Sequence, residues 1–395
     1  MFYFKKKNLD SSRTFKFEFI ILLSIILFGI FLCFVGGYGS HEDTLPMIGV
    51  FLGILRDKVF MTSRFTGNPV AEIGIGFLSY FFGSWAANLI TFLLFIFSLL
   101  FLFFSFANKN KKILLLFLIL CLTNPSLFFI NLQPIDAPWA LFFLFLGVLL
   151  LSLKYYEIAC LAFGFCIGTR IYFLLFVIIF TFFFPNKNIS YNRKFFIIIV
   201  SWIIGGLFYL PVWYHSQFSF QWLDAAIPSE QGLIGFLGRF SYKVWFSVGL
   251  IQFFIILYLL LKKFDLLKKI NGFYSLSLGI LTNLVIFIIM PIQLYYLQPF
   301  LVLLYFLLVQ LSERKIIYII IFINLLTWLI SFQVFKFTYK SNDICSPRHA
   351  TNVEFQLDLS KGNLFEYLYS RQKIKCWIDE DSDFGKKIIK GEKLR

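Results

Sequence analysis

The sequence predicts an all-α polytopic membrane protein with about eleven transmembrane helices and a small C-terminal cap. Three observations predict it. Of 395 residues, 59% are hydrophobic and only 14% charged, with a mean hydropathy of +0.81; soluble chains carry about 25% charged residues. The apolar residues fall in runs near the roughly 20 residues that a spanning helix needs. The 57 Phe outnumber the 24 Gly and 11 Pro together, so the runs are not flexible low-complexity tracts. A soluble enzyme is excluded.

In chain order the expected spans are 17–36, 85–107, 113–131, 137–153, 157–169, 171–185, 195–213, 246–261, 271–290, 294–311 and 316–334. The first is too long for the apolar core of a signal peptide and lacks a small-residue cleavage site, so it stays as a helix. The runs at 157–169 and 171–185 are short for a full crossing and read as tilted or partial spans. Residues 1–334 thus form a membrane domain with two long loops on one side. Loop 37–84 contains an amphipathic stretch from Thr44 to Leu55, and loop 214–245 is rich in Trp and Tyr. Residues 335–395 form the tail.

Net charge is +15, but the basic residues cluster between apolar runs, the pattern that sets membrane orientation rather than nucleic-acid binding. One set of loops, with Lys5–Lys7, Lys109–Lys112 and Lys262–Lys269 among them, holds 18 Lys and Arg; the opposite loops hold six. The N-terminus is expected inside and, after eleven crossings, the C-terminus outside. Cys33, Cys121, Cys160 and Cys166 lie in apolar runs, whereas Cys345 and Cys376 both lie in the tail. In an oxidising compartment such a pair reads as a disulfide, the alternative being two unpaired thiols. No metal-site spacing is found, so a metal is left unassigned.

Polar groups at membrane depth are costly and mark functional sites. On the outer side stand His41, Glu42 and Asp43, then Arg64 in Ser63-Arg64-Phe65-Thr66-Gly67-Asn68-Pro69, Glu72, Asp136, Arg170, Arg239 and Lys243. Each has a plain reading beside the functional one. Asp43 can cap the following helix, and Arg64 can belong to a turn tethered to headgroups. Asp136, between Pro134 and Pro138, can cap the fourth span. Arg170 can snorkel; otherwise it needs an anion, either a carboxylate from elsewhere or a phosphate.

An acidic pair after the first helix, followed by Arg64-x-x-Gly67-x-Pro69, resembles the GT-C superfamily of membrane glycosyltransferases, which includes protein mannosyltransferases and aminoarabinose transferases. Asn131 to Asp136, Gly164 to Arg170 and Tyr209-Leu210-Pro211 resemble bacterial members, and the likeness runs from about residue 10 to 215. Several of these families read Asp-Glu or His-Pro-Asp-Glu where this chain has His41-Glu42-Asp43. The resemblance implies transfer of a sugar from a polyprenyl phosphate to a lipid or glycan acceptor at the outer face, with inversion, in a bacterial inner membrane. Asp43 would be the base, with Glu42 its neighbour or alternate. Arg64, Arg170, Arg239 and Lys243 would face the donor phosphate, and His41, Glu72 and Asp136 would line the pocket. A divalent metal assists some members. The rival readings are an O-antigen polymerase or ligase and a transporter or lipid flippase. The latter predicts internal repeats and mid-membrane polar groups, and neither is evident.

Overall fold

The computed structural model describes residues 2–39, 44–58, 60, 62–63, 67–106, 110–185, 189–215, 233–289, 294–339, 350–370, 378 and 382–395. The chain is a bundle of apolar helices, as a helical membrane protein requires. Helix α1 runs Phe2–Val35, α2 Thr44–Asp57, α3 Pro69–Phe82, α4 Ser84–Phe106 and α5 Lys111–Thr123. After the single turn α6 (Pro125–Phe128) come α7 (Ala137–Ser152), α8 (Tyr156–Thr169), α9 (Phe173–Phe182) and α10 (Tyr191–His215). Then follow α11 (Leu233–Val248), α12 (Leu250–Lys262), α13 (Phe264–Leu267), α14 (Phe273–Ile289), α15 (Gln298–Leu311) and α16 (Arg314–Leu329).

Every expected span contains helix, but 246–261 is broken at Gly249 and 316–334 runs into a strand at Ile330, and the count of eleven full crossings is not reached. Four described stretches are long and apolar enough to cross: Thr14–Val35, Ser84–Phe106, Tyr191–Tyr214 and Leu294–Leu311. A fifth counts only if Lys111–Thr123 and Pro125–Leu132 are taken together, and they meet at a bend of 80°. That break corrects the expected continuous span 113–131. Pro125 has no N–H to continue the helix and disfavours helical backbone at Asn124. The Asn124 side chain then accepts from the Leu127 N–H at 3.0 Å and donates to Tyr305 Oη and Ser247 O at 2.8 and 2.9 Å. The bend is therefore held from three sides.

Phenylalanine fills the core. Phe92, Phe95, Phe117, Phe128, Phe145 and Phe163 are wholly buried. The outward faces of α1 and α10 stay apolar and exposed at Phe17, Phe31, Trp202 and Ile203, as faces turned to lipid do. Between α8 and α10 the backbones approach closely. A Cβ on Gly164 would overlap Ile204, and one on Gly205 would lie 2.6 Å from Ile167 Cβ; small residues serve this purpose between membrane helices. Packing of this kind fixes the end of α8, where Arg170 stands.

Two elements depart from the expected organisation, and one of them from the all-α class. In loop 37–84, α2 matches the amphipathic stretch, but α3 is a further apolar helix, begun by Pro69 at its first turn, where proline is well tolerated. At the other end α16 stops at Leu329, so the tail begins earlier than 335. Strand β1 (Ile330–Tyr339) pairs antiparallel with β2 (Ala350–Lys361). The register sets Phe332 opposite Leu359, Phe335 opposite Phe355 and Phe337 opposite Val353, with a shift between Gln333 and Phe335. Apolar residues alternate along β1 and change phase at that point, so the bulge keeps apolar positions opposite one another. Helices α17 (Asn363–Ser370) and α18 (Asp383–Lys390) complete the tail. Cys345 and Cys376, the expected disulfide, lie outside the described residues.

Candidate functional site

Arg170 caps α8 in extended conformation, its N–H bonded to Cys166 O at 3.0 Å. Its guanidinium turns to Asp136, 34 residues upstream. Nε meets Oδ2 at 2.6 Å and Nη2 meets Oδ1 at 2.7 Å, with the two side chains 2% and 1% exposed. This is the two-pronged geometry that suits arginine and carboxylate. The third nitrogen, Nη1, donates to Tyr172 Oη. The rings of Tyr295 and Tyr296, on the 3₁₀ turn Leu294–Leu297, stand 4.7 and 4.8 Å from the guanidinium carbon. That turn is itself fixed, because Asn283 Nδ2 donates to Tyr296 O at 2.9 Å and the Phe300 N–H donates to Asn283 Oδ1 at 3.0 Å.

Two expectations are corrected here. Asp136 precedes α7 at the capping position but makes no side-chain cap bond, because its carboxylate is engaged by Arg170. Arg170, expected on the donor phosphate, has all three nitrogens engaged within the protein and is shut from the surface. The carboxylate from elsewhere, one of the two anions left open for it, is its partner.

Beside this pair lies a second buried carboxylate. Glu72, in the first turn of α3, accepts from the Ser63 N–H at 3.1 Å and from Ser63 Oγ. The residue is fully buried, and its Oε2 has no partner among the described residues. Burial pushes its pKa upward and the Ser63 bonds pull it back, while the nearby Asp136 carboxylate adds repulsion. Tyr209, on α10, is in electrostatic reach of Glu72, Asp136 and Arg170, and its hydroxyl donates to Ile167 O at 3.1 Å. Glu72, Asp136 and Arg170 are thus brought together with four tyrosines, of which Tyr209 stood in the sequence only as part of the family likeness and Tyr172, Tyr295 and Tyr296 were missed. The signal for these was local: Tyr172 follows Arg170 by two, and Tyr295-Tyr296 interrupts an apolar run.

The other candidates are not gathered there by described atoms. His41, Glu42, Asp43 and Arg64 lie outside the described residues. Arg239 is on α11, its side chain outside the described set; Lys243, one turn on, is half-buried. Among the described residues no three His, Cys, Asp or Glu gather as metal ligands. A cavity of about 710 Å³ opens elsewhere, among α11, α12, α14 and α15, lined by Phe240, Val244, Phe253, Leu260, Phe300 and Leu304. None of the expected site residues with a described side chain lines it. Set against protein-family models, characterised proteins and solved structures, the chain matches none.

Proposed function

We propose that the chain is an integral membrane glycosyltransferase of GT-C type, taking its sugar from a polyprenyl phosphate at the outer face of a bacterial inner membrane, with its N-terminus inside. One observation carries the reading furthest. Three polar residues from three separate outer segments, Glu72, Asp136 and Arg170, converge at the end of the bundle that bears loop 37–84. That loop also carries His41-Glu42-Asp43 and Arg64. The order of these segments is the one that resembles the superfamily.

In this mechanism Asp43, with Glu42 as neighbour, takes the proton from an acceptor hydroxyl. The acceptor oxygen attacks the anomeric carbon, the bond from that carbon to the phosphate oxygen breaks, and polyprenyl phosphate leaves with the bonding pair. Arg64, Arg239 and Lys243 stabilise its charge. Arg170 and Asp136 act instead as a buried clamp that fixes α7, α8 and the Tyr295-Tyr296 turn against one another. His41 and Glu72 border the pocket. A divalent metal, where used, would add charge at the leaving phosphate. The partners are the lipid-linked donor, a lipid or glycan acceptor and membrane lipids.

The test is sugar transfer in proteoliposomes supplied with a panel of polyprenyl-phosphate hexoses and pentoses. Asp43→Asn keeps size and capping ability but removes basicity, and should lower transfer by about a hundredfold or more. Full activity in Asp43→Asn beside a dead Glu42→Gln moves the role to Glu42. Full activity in both removes the base assignment. Flipping of a lipid-linked glycan without transfer, or joining of whole glycan repeats, overturns the reading in favour of a flippase or a polymerase.

A further inference from the structure

We propose that the C-terminal segment Asp383–Arg395 is a positioning strap for the first long loop, a role that rests on the transferase reading above. Its start is fixed by the Ser382 hydroxyl, which accepts from the Gly385 N–H at 3.0 Å, and α18 ends at Gly391 with φ +68°. The chain then reverses, so that Ile388 and Leu394 enter one apolar cluster with Tyr38, Met47, Ile48, Leu52, Ala71 and Ile75. These partners come from the end of α1's turn, from α2 and from α3. A strap more than 300 residues distant in sequence therefore joins all three.

The polar contacts repeat the pattern. Gly391 O accepts from the Ser84 N–H at 3.1 Å and from Ser84 Oγ at 3.0 Å. Tyr38 Oη lies 2.9 Å from Glu392 O and 3.3 Å from Ser79 O, so its one proton joins strap and α3. The Leu394 N–H reaches Ser79 O at 3.4 Å. The backbones meet where only glycine fits: a Cβ on Gly83 would lie 2.9 Å from Gly391 O, and one on Gly391 would lie 3.2 Å from Gly37 Cα and overlap Ser84 Oγ. The anchors so held, Tyr38 before and Thr44–Leu52 after, flank residues 40–43 in sequence, and α3 carries Glu72. Positioning matters because a displacement of about 1 Å at a reacting group costs about a hundredfold in rate. Tyr38, Ile388, Gly391 and Leu394 are positioning residues, acting through the loop and not on substrate.

The experiment uses the full chain carrying Ile388→Asp with Leu394→Asp, compared with wild type and Ile388→Val. Amide hydrogen exchange should quicken at least tenfold across 44–52 and 71–79 and stay unchanged across 298–311. Transfer should lose tenfold or more in kcat with little change in KM for the polyprenyl-phosphate donor, and Ile388→Val should restore both. Should the aspartates prevent folding, Ile388→Ala gives the same comparison at smaller amplitude. Unchanged exchange overturns the strap whatever the activity, and quickened exchange with full kcat reduces it to packing. The exchange arm needs no substrate. A wild-type chain inert toward every donor therefore overturns the transferase reading alone.

Discussion

Replacing Asp136 with Asn tests whether the buried pair holds the bundle together. The substitution keeps the shape of the side chain but removes the charge that Arg170 faces at 2.6 and 2.7 Å. Arg170 is 2% exposed, so water cannot replace the lost carboxylate, and guanidinium does not deprotonate to escape. Removing one partner of such a pair costs about 3–5 kcal/mol, mostly the penalty of an uncompensated buried charge. The Tyr172 hydroxyl and the faces of Tyr295 and Tyr296 offset part of this, a cation–ring contact being worth about 2 kcal/mol when desolvated. A net loss of about 1–3 kcal/mol remains. The assay is the fraction folded against temperature, or against rising SDS, in mild-detergent micelles. Arg170→Met should lose a similar amount, since it strands the Asp136 carboxylate. The double variant Asp136→Leu with Arg170→Met should be more stable than either single variant, because replacing both charges with apolar groups is often close to neutral. Equal stability of Asp136→Asn and wild type, or a double variant less stable than both single variants, would refute the clamp.

Three further outcomes are expected. Glu72 has its pKa raised above its ordinary 4.5 by burial, so the folded state holds the proton more tightly than the unfolded one and wild-type stability falls as pH rises above that value. Glu72→Gln should therefore gain on wild type in melting temperature from pH 4.5 upward, and a difference independent of pH would contradict this. Asn124→Ala removes three hydrogen bonds at the 80° bend and should cost about 2–4 kcal/mol, read in the same detergent unfolding assay; a loss under about 1 kcal/mol would show that the bend stands without them. Reporter fusions at Lys111 and after Arg395 should land on opposite sides of the membrane, and two cytoplasmic signals would overturn the orientation.

The helices were legible because apolar run length is a local property, and each of the eleven expected stretches contains helix. Their lengths were not. A helix such as Phe173–Phe182 has 10 residues, about 15 Å of rise, and whether it crosses or stops partway depends on its neighbours. The bend at Asn124-Pro125 was visible as a dipeptide, yet two of the contacts that hold it, Tyr305 and Ser247, lie far along the chain. The ribbon of β1 and β2 did leave a period-two trace, with apolar residues at 330, 332, 335, 337 and 339. The phase change at 334 broke the alternation, so the half up to 334 was absorbed into the preceding helix and the rest was left to the tail.

Arg170 shows why the site was only half legible. Its sequence position demanded an anion, and burial of a guanidinium made that demand physically firm. Which anion met it was a question of which loops meet in space, and no neighbour in sequence carries that information. The plain reading of Asp136, beside its place in the pocket, was a helix cap, because Pro138 opens a helix there, and a stronger distant partner overrode it. A capping bond is worth about 1 kcal/mol, whereas an ionised carboxylate beside a buried guanidinium is worth several times that relative to leaving either alone. Where a short-range and a long-range partner compete for one side chain at membrane depth, the charged long-range partner wins. The same weighing directs attention to Glu72. One of its oxygens is held by Ser63 and the other has no partner among the described residues, whereas each oxygen of Asp136 already accepts from Arg170, so Glu72 has the more open acceptor of the two.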